Sequence, residues 1–75
     1  MATYNGHKNW NHWNVALWIA NDEGLYALAR DCKVGCSART AAEIMLARLD
    51  EAGIGATPDG APYTLTTLRA ALRGL

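Results

Sequence analysis

The chain has 75 residues and lacks phenylalanine, an excess of either charge, and any long apolar run. Seven Lys and Arg residues balance seven Asp and Glu residues. This neutral total argues against general affinity for nucleic acid, which requires clustered cations, and against an acidic mimic of DNA. The longest strictly apolar run, near residues 15–20, is far shorter than the roughly 18 residues that span a bilayer. We therefore expect a partner that is neither nucleic acid nor membrane.

Targeting and catalytic motifs are also missing. The first residues, MATYNGHKNW, are polar and do not contain the apolar h-region of a signal peptide, so we expect a cytoplasmic protein. The sequence has no Gly-rich phosphate loop, no serine nucleophile elbow and no paired general acid and base. These absences predict a protein that is not an enzyme and needs no cofactor.

Two cysteines and two histidines are the residues that could hold a metal. Cys32 and Cys36 are separated by three residues, and His7 and His12 precede them in the chain. Two Cys with two His form a zinc-ligand set, but this order and spacing match no zinc finger. A disulfide at i,i+4 would require a distorted backbone. We predict two thiols, no disulfide and no metal site.

Three tryptophans fall within nine residues near the start of the chain. In so short a domain, few other side chains are large enough to fill a core. Trp10, Trp13 and Leu17 lie at i, i+3 and i+7, which is the spacing of one helix face. This pattern predicts a first helix capped by Asn11.

Capping signals mark the other helices. The stretch Asn21-Asp22-Glu23-Gly24 predicts a break with Asn21 as the cap of a second helix; the alternative is one helix that continues to Asp31. Thr40 and Glu43 form a capping-box pattern for a helix over residues 40–52, and Gly53 is a natural terminator of that helix. Thr57-Pro58-Asp59-Gly60 predicts a turn, and Thr64 caps the last helix.

The fold that we predict is all-α: a single domain over residues 1–75, built as a compact bundle of three or four short helices after an irregular N-terminal segment. No strand alternation and no internal repeat is present. The apolar positions of the helices define the predicted core, which consists of Trp13, Leu17, Trp18, Leu28, Met45, Leu49, Leu68 and Leu72.

Partner contacts are predicted for aromatic and charged residues outside that core. Tyr and Trp are enriched among interface anchors, and arginine forms bidentate contacts with carboxylates and phosphates. The predicted partner-binding residues are Tyr4, Trp10, Asp22, Glu23, Arg69 and Arg73. The alternatives are a helix cap with first-turn acids for Asp22 and Glu23, and a solvated surface for the arginines.

The stretch YNGHKNWNHWNVALWIANDEGLY resembles the signature N-G-x-x-N-x-x-T-W-x-V-x-L-W-x-x-N-D-E-G-x-Y, which marks a family of small proteins encoded by phages, plasmids and other mobile elements. The chain departs from the signature at His12, where the family usually carries threonine or a similar small residue. The tail TPDGAPYTLTTLRAAL is similar to that of shorter members. Small proteins of this setting often inhibit host defence systems, including CRISPR effectors and restriction enzymes.

This resemblance implies a protein-binding inhibitor that blocks a host defence complex sterically, with a CRISPR effector as a candidate partner. Two other hypotheses remain open. Residues 40–72 resemble the C-terminal helix–turn–helix segment of some recombinases, which would make the chain a DNA-binding regulator with Arg69 and Arg73 facing DNA. However, the gap between the two helices is too long for a tight helix–turn–helix. The third hypothesis is a structural protein that forms a homodimer through leftover apolar surface.

Overall fold

The first helix, α1, spans Trp10–Asn21 in the computed structural model, which describes residues 8–75. Its N-cap is Asn9, whose side-chain oxygen accepts a hydrogen bond from the backbone N–H of His12 at 3.0 Å. The prediction that Asn11 caps this helix is wrong, because Asn9 satisfies that N–H two residues earlier. The buried positions of α1 are His12, Asn14, Val15 and Ile19.

A single residue, Asp22, separates α1 from the second helix, α2, which spans Glu23–Lys33. The backbone N–H of Asp22 donates to the carbonyl oxygen of Trp18 at 2.8 Å, and its carboxylate accepts from the backbone N–H of Leu25 at 2.9 Å. Asp22 therefore ends one helix and caps the next. The cap predicted at Asn21 is wrong by one residue, since the Asn21 amide donates back to the carbonyl oxygen of Leu17.

The third helix, α3, spans Ala38–Glu51 and begins two residues before the predicted start. Ser37 is the N-cap, and its hydroxyl accepts from the backbone N–H of Thr40 at 3.2 Å. The predicted capping box is wrong because Ser37 already fills the cap position, while Glu43 pairs with Arg39 at 3.9 Å. Gly53, with φ of 75°, follows the helix end as predicted.

A folded connection leads from α3 to the last helix. Its backbone closes through one antiparallel bridge between Ala56 and Pro62 and a hydrogen bond from the N–H of Thr57 to the carbonyl oxygen of Ala61. The predicted turn is present: the N–H of Gly60 donates to the carbonyl oxygen of Thr57 at 2.9 Å. The φ of 97° at Gly60 explains why glycine occupies that position.

The fourth helix, α4, spans Leu65–Arg73 and starts with the predicted cap, Thr64. Thr64 and Thr67 exchange hydrogen bonds between side chain and backbone in a capping box. At the other end of α4, the Lys33 amine donates to the carbonyl oxygens of Leu72 and Leu75 at 2.6 and 2.9 Å. Such a cation favours the negative end of a helix dipole, so α2 stabilises the C-terminus of α4.

One apolar cluster joins all four helices and the connection. Its buried members are Val15, Ile19, Ala29, Cys32, Ala41, Ala42, Met45, Leu49, Ala61, Tyr63, Leu68, Ala71 and Leu72. Helix α1 packs against α2 and α4, and α3 packs against the same two helices. The predicted all-α bundle is confirmed, and no helix within residues 8–75 has the length and apolar character needed to cross a bilayer.

The structure revises the role of the first helix in the core. Of the predicted core residues, Met45, Leu49, Leu68 and Leu72 are buried, and Leu28 packs half-buried against the cluster. The prediction that Leu17 belongs to the core is wrong, since this residue is 37% exposed. At about 100° per residue it lies on the side of α1 away from Val15 and Ile19. Trp13 and Trp18 are half-buried rather than enclosed.

Candidate functional site

An open apolar groove of about 510 Å³ lies where the α1–α2 junction meets the end of α3 and the connection to α4. Its apolar lining comprises Trp18, Leu25, Leu28, Leu49, Ala52, Ile54, Ala56, Pro58 and Tyr63. We call this surface the apolar groove. Trp18, Leu25 and Leu28 are half-buried and Ile54 is 42% exposed, so apolar side chains of the lining remain in contact with solvent. Such a surface can accept an apolar side chain from a partner.

The indole of Trp18 is held in place on one wall of the apolar groove. Its Nε1–H donates to the carboxylate of Asp59 at 2.9 Å, and the same oxygen accepts from the amide of Asn14 at 2.8 Å. Both donors lie on α1, whereas Asp59 lies at the turn of the connection. The carboxylate therefore fixes the connection against α1 through two hydrogen bonds.

A buried pair extends this network into the interior. The Thr57 hydroxyl donates to the Asn14 side-chain oxygen at 2.5 Å and accepts from the backbone N–H of Ala61 at 3.0 Å. Asn14 and Thr57 are both buried, and neither side chain has an unsatisfied polar atom. A fully satisfied buried network of this kind specifies one arrangement of the groups that it joins. Here it positions the wall formed by Ala56 and Pro58 relative to Trp18.

These hydrogen bonds make the network sensitive to acid. The amide of Asn14, and after it the indole of Trp18, lower the pKa of Asp59, while desolvation opposes them. Because the pKa in the folded state is below that of the unfolded chain, the stabilisation is present above about pH 4 and is lost as the pH falls through the folded pKa.

We therefore predict that Asp59→Asn reduces the loss of stability in acid. Asparagine keeps an oxygen that can accept from Asn14 and Trp18 but cannot be protonated in this range. The measurement is the free energy of unfolding in urea at several pH values from neutral to about pH 3. Between pH 4 and 3 the wild-type value should fall more steeply than that of the variant. Parallel profiles would contradict the assignment.

Two charged side chains border the apolar groove. Asp22 lies at the α1–α2 junction, and Arg48 on α3 pairs with Asp31 at 3.5 Å in an exposed contact. Burial, with a smaller contribution from the Asp22 carboxylate, raises the pKa of Tyr63, so its phenol is neutral at physiological pH. The apolar groove thus has a carboxylate and a guanidinium at the border of an apolar floor.

A second surface surrounds the exposed side of α4. Lys8, Arg69 and Arg73 line an open cavity of about 570 Å³ together with His12 and Thr66. An adjoining cavity of about 430 Å³ shares Thr66 and Arg69 and adds Arg39, Glu43 and Leu65. We call the surface carrying Lys8, Arg39, Arg69 and Arg73 the cationic face. Its helical stripe is Thr66, Arg69 and Arg73, opposite the buried Leu68 and Leu72.

The structure does not place the predicted partner-binding residues on one surface. Arg69 and Arg73 share the cationic face, whereas Asp22 borders the apolar groove and Glu23 is exposed beside it. Trp10 packs half-buried against the core cluster. Tyr4 lies outside the described residues. A contact surface that includes the two acids as well as the two arginines would have to extend along the whole of α1, which is about 18 Å long.

Three of the four possible metal ligands, His12, Cys32 and Cys36, lie within the described residues. Within residues 8–75, no three His, Cys, Asp or Glu side chains are grouped as a metal site would require, and His7 precedes this range. Cys32 is buried and Cys36 half-buried, both as thiols. Burial is the main cause that raises the pKa of Cys32, which keeps it in the unreactive protonated form.

Several residues of the apolar groove, and Asn14 in the network behind it, escaped the sequence-based prediction. Ile54, Pro58 and Tyr63 belong to a connection that reads only as turn and loop, and Asn14 lies within an apolar helix pattern. A polar residue on the apolar face of a helix was the available signal, because a buried amide requires partners elsewhere in the fold. Those partners, Thr57 and Asp59, lie 43 and 45 residues further along the chain, and nothing in the sequence around Asn14 identifies them.

Comparison with known proteins adds one finding. No curated protein and no solved structure matches the chain. A family model does match, over residues 1–71, and it describes a family of unknown function, DUF7249. The match covers all four helices except the last two residues of α4. The chain therefore belongs to the DUF7249 family.

Proposed function

We propose that this chain is a non-catalytic, mobile-element-encoded inhibitor that docks on a host defence complex, with a CRISPR effector as the favoured class, and blocks it sterically. The observation that carries the proposal is the apolar groove, in which Trp18 and Tyr63 form part of an open apolar surface. The occupant is an apolar segment of the partner, with polar groups that face Asp22 and Arg48.

The chemistry of the apolar groove supports a protein partner. Buried aromatic residues within a polar border are the usual composition of an interface centre, where a few side chains supply most of the binding energy. Trp18 is already oriented by Asp59, so little of its conformational freedom remains to be lost on binding. A preorganised apolar surface on a small domain suits a partner that inserts one or two apolar side chains.

The biological setting comes from the sequence. The sequence resembles a signature of phage and plasmid proteins, and the residues of that signature include Trp18, Asp22 and Gly24, which line the apolar groove. Inhibitors from mobile elements often act by occupying a surface on a larger complex. The cytoplasm of the host cell is the location that this proposal requires.

We predict that Ile54→Arg strongly weakens partner binding, whereas Val34→Arg does not. Both positions carry an exposed β-branched residue, but Ile54 lines the apolar groove and Val34, at 77% exposed, lies in the α2–α3 loop. Placing a guanidinium in the interface should cost about 2 kcal/mol or more, which corresponds to at least about 30-fold weaker binding. The measurement is capture from host lysate with mass spectrometry, followed by calorimetry on the purified partner.

The mode of inhibition has its own test. Steric blocking requires inhibition to reach its maximum at a fixed stoichiometric ratio of inhibitor to complex, whereas an enzyme would inactivate an excess of target. Equal binding by Ile54→Arg and Val34→Arg would remove the apolar groove from the contact. Sedimentation of the pure protein addresses self-association: a wild-type dimer that Ile54→Arg converts to a monomer would show that a second copy occupies the apolar groove.

A further inference from the structure

The neutral total of the chain conceals a separation of charge. Four of the seven cations, Lys8, Arg39, Arg69 and Arg73, line the two adjoining cavities beside α4, where Glu43 is the only acid. Glu43 pairs with Arg39. Among the described residues, no acidic side chain lies within 4.0 Å of the cationic groups of Lys8, Arg69 or Arg73. Three cations on one surface are thus available to an anionic partner.

We infer that the cationic face binds the phosphate backbone of nucleic acid. Arg69 and Arg73 are one helical turn apart on α4, and Lys8 faces them from the residue before the cap of α1. Arginine, lysine and threonine are the side chains that contact phosphate oxygens in protein–nucleic acid interfaces. Thr66 adds a hydroxyl to the same cavity.

The composition of the cationic face favours phosphates over an acidic protein. Protein interfaces are centred on large apolar or aromatic anchors, which the apolar groove contains. The cavity between Lys8, Arg69 and Arg73 is completed by Thr66, Ala70, Gly74 and the largely buried His12, none of which is an exposed large apolar side chain. The exposed Leu65 lines only the adjoining cavity beside Arg39. A polar, cationic cavity without an apolar anchor, such as the one between Lys8, Arg69 and Arg73, is typical of contacts with nucleic acid.

Backbone recognition of this kind is weak and independent of sequence. With three phosphate contacts, the logarithm of the association constant should fall with the logarithm of the salt concentration at a slope of about −2.7. Raising salt from 50 to 200 mM should then weaken binding about 40-fold. The formal neutrality of the whole chain does not prevent this, because charges beyond about 10 Å are largely screened at such ionic strengths.

The experiment measures fluorescence anisotropy of a labelled DNA duplex of random sequence with the full chain, over a series of salt concentrations. We expect the slope to become less negative by about 0.9 in each of the variants Lys8→Gln, Arg69→Gln and Arg73→Gln. Arg30→Gln is the matched control, since it removes the same charge from α2, where Arg30 stacks on Tyr26 away from the cationic face. It should retain the wild-type slope.

Other outcomes would overturn the inference. These are absence of binding at 20 mM salt, an unchanged slope in Arg69→Gln and Arg73→Gln with unaltered melting temperatures, or tighter binding to poly-glutamate of equal charge than to the duplex. The last result would assign the face to an acidic protein. Ile54→Arg should bind DNA as the wild type does, so failure of the protein-docking proposal would leave this test intact.

Discussion

Replacing Asn14 with leucine should lower the free energy of unfolding by about 1–3 kcal/mol, although leucine is similar in size and a better helix former. The substitution removes the acceptor of the buried Thr57 hydroxyl and one donor to the Asp59 carboxylate. A buried polar group left without its partner loses the full value of its hydration. For a domain of this size, each kcal/mol corresponds to about 4–8 °C in melting temperature.

The measurement is urea unfolding followed by tryptophan fluorescence. Asn21→Leu is the matched control: it lies on the same helix, but its amide is exposed and, within residues 8–75, bonds only to the carbonyl oxygen of Leu17. We expect less than about 0.5 kcal/mol of destabilisation there. Because Asn14 also fixes the connection beside Trp18, Asn14→Leu should weaken partner binding in addition to stability. A variant as stable as Asn21→Leu would show that the network contributes nothing.

Truncating Leu68 to alanine should have the largest effect of any single change considered. Leu68 is fully buried in α4, where the helix packs against both α1 and α3. Removing a buried leucine costs about 2–5 kcal/mol, through lost apolar contact and the cavity that remains. A chain of 75 residues has a total stability of about 4–11 kcal/mol, so the variant should be partly unfolded at physiological temperature.

Leu65→Ala is the control for this prediction. Leu65 is the first residue of α4 and is 48% exposed. The same truncation there should cost less than about 1 kcal/mol, since less apolar surface leaves contact with the protein. The measurement is thermal unfolding by circular dichroism at 222 nm. Equal melting temperatures for the two variants would mean that α4 is not part of the cooperative core.

Local signals in the sequence predicted most of the helical architecture. The Thr64 cap and the glycine after α3 were readable because capping depends on residues within one turn. The break between α1 and α2 was also readable, although its cap is Asp22 and not Asn21. Such boundaries depend on which of several neighbouring polar residues forms the cap. In the same way, α3 is capped by Ser37 and not by Thr40.

The candidate surfaces were less accessible to prediction. Leu17 and Trp18 both carry apolar signals, and it is the packing of α1 in the bundle that leaves Leu17 exposed while Trp18 lines the apolar groove. The cationic face depends on the approach of Lys8 to α4, across 61 residues of sequence from Arg69. Contacts at such separation are set by tertiary packing, about which composition and helical periodicity carry no information.

The junction at Asp22 has a consequence for how this chain can change in length. Each residue added to a helical path turns everything beyond it by about 100°. Because only one residue separates α1 from α2, the junction cannot compensate for that rotation. An insertion there would direct the buried side chains of Ala29 and Cys32 outward. An exposed turn such as the one at Pro58 and Asp59 would ordinarily tolerate added residues. Here the hydrogen bond from Asn14 on α1 to Asp59 fixes the position of the turn, so the turn cannot change in length either. Natural length variation should therefore concentrate in the α2–α3 loop around Val34 and Gly35.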